Sequence, residues 1–396
     1  LGNKQKHRTK GVVVKLQKSV SWKSRSATFA MGLVAATLAF SLTPHAASAQ
    51  SKPLETTAGW KQACETSPGN RVVVTEDITI SMGATASSPE QITTGCVIEM
   101  INDADVQLDK VGLSFAGPVT ILGGLKSGLA MQEAYVTAPS ISLNLPGDES
   151  FIRTSFSRLN ASAGDLTINL GRIAKLELFR YRTAGTFGNV TNGTFFATGN
   201  LKITAGERFN LAMIEAVMYG GASLTIETNG FETNLKAENT SLEGRTGSMT
   251  IIGRGGKMSG EFSNSTLRAG GDLDVVAGST ESNLNFSNVQ TRAGARVQLY
   301  TAGAKGNVNV SNGSVQAGQG IFVSAIGAEG SVNVENGSYS GGNPTRFVTG
   351  AQGKTLVKGA TITSSGLVDI QTDRAAGGVC EALENRITAP TQQLCP

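Results

Sequence analysis

Few residues in this 396-residue chain are of a type and spacing that could do chemistry. The two histidines, His7 and His45, both fall within the first 49 residues. That stretch holds a basic segment ending at Arg25, an apolar run over 27–42 and the small-residue site Ala47-Ser48-Ala49. These are the three parts of a secretory signal peptide. The run is shorter than the roughly 20 residues a transmembrane helix needs, and no twin-Arg pair precedes it. Sec export with cleavage after Ala49 is therefore expected, with secretion or cell-surface display to follow and a periplasmic location as the alternative. Once 1–49 is removed no histidine is left. This excludes Ser-His-Asp and Cys-His mechanisms and any His-ligated metal for the remainder.

Carboxylates are the remaining acid–base candidates. Glycoside hydrolysis needs two of them within about 5–10 Å, and residues two apart in a strand share a face. Asp272 and Asp274 meet that condition, as do Asp103 and Asp105 beside Asp109. Nothing in their sequence context singles out either pair, so no catalytic residue is nominated. Gly270-Gly271-Asp272-Leu273-Asp274 resembles a calcium-binding nonapeptide but occurs once. No cofactor or metal is expected, and calcium is kept only as an alternative.

A third group is basic and aromatic. Residues 151–209 hold eight Lys/Arg (Arg153, Arg158, Arg172, Lys175, Arg180, Arg182, Lys202, Arg208) against three acids, Asp165, Glu177 and Glu207. Phe179, Tyr181, Phe187, Phe195 and Phe196 lie among them. Guanidinium groups pair with carboxylate or sulfate, and aromatic rings pack on pyranose faces. Anionic polysaccharide is the ligand this mixture suits, with Arg180, Tyr181, Arg182, Lys175 and Phe187 as the expected contacts. The competing reading puts the Phe residues in the core and the Arg residues in solvent.

Charge argues against a nucleic-acid partner. The formal net charge is +4, but residues 1–49 contribute eight Lys/Arg and no acid, leaving 26 basic against 30 acidic side chains. A chain of that balance has no global electrostatic pull on phosphate. The four cysteines, Cys64, Cys96, Cys380 and Cys395, lie near the two ends of the remainder. In an exported protein an even count favours disulfides, and proximity pairs Cys64 with Cys96 and Cys380 with Cys395.

The element that must position these residues is a repeat. Asn264, Asn288, Asn312 and Asn336 recur at intervals of 24, and Gly270, Gly294, Gly318 and Gly342 follow at the same interval. Carried backwards, the template places anchors at Asn239, Glu215, Asn192, Ser157, Glu133 and Asp109; carried forwards, at Gly359. One spacing departs, from Ser157 to Asn192, where about 11 residues are inserted. Insertions on solenoids emerge as loops on one face, often the binding face. Inside each unit apolar residues alternate, as in Val308/Val310, Val332/Val334, Leu166/Ile168 and Leu224/Ile226, which is the period of half-buried strands. A repeat of this length with about three short strands predicts an all-β, single right-handed parallel β-helix with disulfide-closed end caps.

Its period, Asn column and stacked apolar positions resemble the pectin-lyase-like right-handed β-helix superfamily over about residues 70–370. The resemblance implies fold; known members include polysaccharide lyases and hydrolases, surface adhesins and phage tailspikes. The expected organisation is a signal peptide over 1–49, an N-terminal cap and first coil over 50–100, repeats over 101–373 and a C-terminal cap over 374–396. Residues 54–64, with Trp60, are expected to form a helix over the first end. The column Asn239, Asn264, Asn288, Asn312 and Asn336 reads as a hydrogen-bonded ladder of buried turn amides, preferred over glycan attachment, and the Gly column as positive-φ turn positions. The expected function is that of an exported, adhesin-like, non-catalytic binder of polysaccharide or cell-surface glycan. A polysaccharide lyase or glycoside hydrolase is the alternative, and a structural envelope or matrix protein the second.

Overall fold

The computed structural model describes residues 52–179, 194–372 and 376–396. They wind into a parallel β-solenoid, consistent with the expected right-handed β-helix. Among the described residues, thirteen strands form one sheet and 25 form the other, every strand pair within them parallel. Each turn supplies one strand to the smaller sheet and as a rule two to the larger. A representative turn reads Leu201–Ala205, Arg208–Ile214 and Val217–Gly220. Its residues lie over Leu224, Glu232 and Ser241 of the next turn, so the register step is close to the 24-residue period.

Alternation decides what is inside. Leu166, Leu201, Leu224, Met249, Leu273, Val297 and Ile321 stack in register through seven successive turns, and each is completely buried. Each such side chain contributes about 1.5–3 kcal/mol by leaving water. Phe262 and Phe286 stack the same way, with ring centroids 4.9 Å apart. A one-residue slip would turn every column outward, so the register is strongly specified.

The corners carry backbone strain that selects residue type. Glu133, Glu215, Asn239, Asn264, Asn288, Asn312 and Asn336 all have φ between 48° and 54°, the left-handed region that asparagine tolerates better than most residues. The five Asn do stack, but they are exposed, so they are not the buried amides expected. Asn288 Nδ2 donates to Asn264 Oδ1 at 2.8 Å; positive φ is what the whole column shares. Two anchors also shift by one residue, because Lys110 and Phe156 hold the left-handed position rather than Asp109 and Ser157. Asn192 lies outside the described residues.

The Gly column has a different cause from the one expected. Gly270, Gly294, Gly318 and Gly342 are not at positive φ. A Cβ at Gly294 would overlap the carbonyl oxygen of Gly270, and one at Gly318 that of Gly294. Glycine is required there because successive turns approach too closely for a side chain.

The two ends differ. The helix Thr57–Thr66 covers the first turn, its Thr56 cap accepting from Gly59 N–H at 3.0 Å. Trp60 is fully buried beneath it, and Cys64 is bonded to Cys96. At the other end, the segment expected to lose the repeat keeps it. Val379–Leu383, Arg386–Thr388 and Thr391–Leu394 make a further turn in register with the one before, which the Cys380–Cys395 disulfide closes. Among the described residues no helix is long and apolar enough to cross a membrane.

Candidate functional site

The insertion falls at one corner. Elsewhere two residues join the larger sheet to the smaller at this position, such as Glu215 and Ala216 between Arg208–Ile214 and Val217–Gly220. Between Ile173–Phe179 and Thr194–Ala197 the connection is 180–193. Thr194 resumes register over Arg158, so the extra residues interrupt neither sheet. Arg180, Tyr181, Arg182 and Phe187 belong to this connection and lie outside the described residues. Lys175 is described; it is exposed between Phe151 and Asn210 in its column.

Next to the insertion an open groove of about 670 Å³ runs across the turns. One column of its floor reads Gln107, Ala130, Arg153, Glu177, and the adjacent one includes Gln132, Ser155 and Phe179. The groove exists because Ala130 and Ser155 are small where their neighbours are long. Phe156 and Phe179 line it on the insertion side. Arg153 Nε donates to Glu177 Oε2 at 2.6 Å, which fixes both side chains across two turns. The lining therefore offers amides, a hydroxyl, a bridged cation–carboxylate pair and two aromatic rings.

Around the same corner, the smaller sheet presents a second set. The Arg158 guanidinium lies 4.9 Å from the Phe196 ring centroid and 6.0 Å from that of Tyr135. Phe196 stacks on Tyr219 at 4.7 Å with the planes 4° apart. That separation is the distance between turns, so the rings lie like rungs with their faces along the solenoid axis. Arginine covers one face of Phe196 and Tyr219 the other. These rings offer edges and a phenol to solvent, not a flat platform for a sugar. Asn160 Nδ2 donates to Thr137 Oγ1 at 2.9 Å, and Arg245 Nη1 to the Tyr219 hydroxyl at 3.1 Å. Phe195 is fully buried, in line with the core reading. Arg172 bridges Asp148 and Glu207 at 3.2 and 3.8 Å.

Structural contacts hold the first carboxylate pair and part of the second, in which Asp105 Oδ1 is buried without a hydrogen-bond partner among the described residues. Asp272 and Asp274 both face Arg296, at 3.7 and 3.2 Å, and Asp272 also accepts from its backbone N–H. Asp103 accepts from Lys126 N–H at 3.0 Å. Burial holds the Asp105 carboxyl above the usual carboxylate range; nearby Asp77 and Asp103 add to this, and the Gly128 N–H opposes it. A carboxyl whose pKa is raised on folding favours the protonated native state. Its contribution is greatest below the unfolded value and is lost as pH rises through the folded one. Asp105→Asn is thus expected to raise the melting temperature at pH 7, with the gain vanishing near pH 3. Equal gains at both pH values would refute the electrostatic cause. Among the described residues no group of three or more His, Cys, Asp or Glu is placed to hold a metal ion.

Tyr135, Asn160 and Tyr219 were legible in principle. Counted from the true corner residues Glu133, Phe156 and Glu215, Tyr135 and Arg158 are both at the second position, and Asn160 and Tyr219 both at the fourth. An anchor at Ser157 rather than Phe156 breaks that stack. Comparison with protein-family models, curated proteins and solved structures finds no match for this chain.

Proposed function

We propose that this is an exported, non-catalytic β-solenoid that binds an extended polysaccharide at the corner where the repeat is interrupted, in an adhesin-like role at a cell surface or in a matrix. The observation that supports the reading is the groove itself. It is open, crosses several turns, and is lined by Gln107, Gln132, Ser155, Arg153 and Glu177 with Phe156 and Phe179 alongside. Amide, hydroxyl and carboxylate groups match the donors and acceptors of a sugar chain, and arginine suits a uronate or sulfate. Lys175 nearby, with Arg180 and Arg182 in the connection, supports an anionic chain.

The test is retention of the purified protein on pectate, alginate and glycosaminoglycans, with absorbance from unsaturated uronates and new reducing ends followed in parallel. Ala130→Trp fills the groove floor from an outward position and should reduce retention about ten-fold or more, with the β-type circular dichroism unchanged. Unaltered retention would remove the groove from consideration. Bond cleavage by the unmodified protein would replace the binding role with that of a lyase or a hydrolase.

A further inference from the structure

On this surface, charges that stack along the axis usually alternate in sign. The column Arg208, Glu232, Lys257, Glu281, Lys305 follows the register of five successive turns, and Lys257 meets Glu281 at 2.9 Å. Each charge there faces the opposite sign in an adjoining turn. One column of the smaller sheet breaks the rule. Arg268 lies directly over Arg292, one strand spacing of about 4.8 Å away. Both are exposed, and among the described residues neither side chain has a hydrogen bond or an ion pair. Glu243 precedes Arg268 in register, yet no ion pair joins them. Like charges directly opposite each other destabilise a sheet, so the fold gains nothing from this arrangement.

The groups around the pair form a strip of donors. Gln316 continues the column beyond Arg292, and Thr266, Gln290 and Ser314 form the neighbouring one. Arg245 lies at the near end, held by the Tyr219 hydroxyl. The strip has no large apolar side chain facing outward, and repeats at the strand spacing of about 4.8 Å, close to the rise of one sugar residue. Guanidinium groups take carboxylate or sulfate in a two-pronged hydrogen bond, and the flanking hydroxyls and amides suit ring hydroxyls.

We infer that Arg268 and Arg292, with Gln290, Gln316, Thr266 and Ser314 around them, form a second polysaccharide-binding strip that reads the negative charges of an anionic glycan. The inference rests on the proposed function for its class of ligand, but on a face separate from the groove. A ligand carrying charges at turn spacing relieves the repulsion between the two arginines, so the strip favours densely charged chains over neutral ones.

The experiment measures binding of dextran sulfate, polygalacturonate, neutral dextran, anionic lipid vesicles and a short DNA duplex across a salt series. The Arg268→Gln/Arg292→Gln double variant should bind dextran sulfate about ten-fold more weakly or worse. The slope of log affinity against log salt should fall by about two charges, with circular dichroism unchanged. Measured in the Ala130→Trp background, the double variant should still lose about two charges of slope, so failure of the groove reading and failure of the strip are told apart. Unchanged affinity and slope in the double variant would overturn the inference. So would tighter binding to the duplex or the vesicles than to dextran sulfate.

Discussion

Replacing Trp60 by alanine is expected to lower the stability of the first turns by about 3–5 kcal/mol, the usual cost of deleting a large buried aromatic side chain. A solenoid exposes strand edges and core at its ends, and its turns stabilise one another only through nearest neighbours. Here the short helix over the first turn carries one large apolar residue into the interior, and Trp60 is completely buried there. Its indole N–H donates to the carbonyl of Leu54 at 2.6 Å, so the ring also ties the incoming chain to the helix. Native-state hydrogen exchange of the strands Arg71–Val74 and Cys96–Met100 reads the loss directly. Exchange there should accelerate by two orders of magnitude or more, while strands near Val297–Thr301 stay protected. Trp60→Phe keeps most of the packing and gives up the hydrogen bond, and should cost about 1 kcal/mol beyond the small loss of area. Unchanged exchange in Trp60→Ala would mean that the disulfide Cys64–Cys96 alone holds the end.

The second large effect separates two kinds of glycine. Gly294→Asn is expected to destabilise the protein by about 1–3 kcal/mol or more, as overpacking of a tight contact does, whereas Asn288→Gly should change stability by less than about 1 kcal/mol. If Gly294 were needed for a positive φ, asparagine would be its best replacement, because asparagine is the residue most often found there after glycine. The backbone at Gly294 does not need that region; any side chain would strike the Gly270 carbonyl of the preceding turn. Asn288 has the opposite requirement, with φ at 54° and an exposed side chain, so Asn288→Ala should cost about 1–2 kcal/mol where Asn288→Gly does not. Thermal or urea unfolding of the three variants decides the matter. Tolerance of asparagine at Gly294 without loss of stability would sink the contact argument.

These substitutions also show where pattern stops being informative. Two glycine-and-asparagine columns with one period look alike in one dimension, because both conformational freedom and close approach select small residues. The corner column was correctly located at Asn239, Asn264, Asn288, Asn312 and Asn336, but its amides are exposed rather than buried. It was misplaced by one residue at Lys110 and Phe156, where neither Asn nor Gly marks the turn. That single step hid the alignment of Tyr135 with Arg158, and with it the stacked face beside the insertion. Of the contacts expected from composition, Lys175 lies in the described structure beside the groove's columns, and Arg180, Tyr181, Arg182 and Phe187 lie outside the described residues.

What this chain determined by itself is its interior and its period. The alternation in Leu166/Ile168, Leu224/Ile226 and Val308/Val310 fixes which face is buried, since burying an apolar column is the dominant favourable term in folding. The 24-residue recurrence then dictates what stacks on what, and the four cysteines could close only the two ends. Outward positions carry no such constraint. Whether Arg158 meets solvent or a phenylalanine, whether Asp272 and Asp274 are free or held by Arg296, and whether Ala130 opens a groove depend on side chains one or two turns away, and on how the chain rejoins its register after residues 180–193. Those neighbours lie 22 to 38 residues apart in sequence, and only the tertiary structure brings them together.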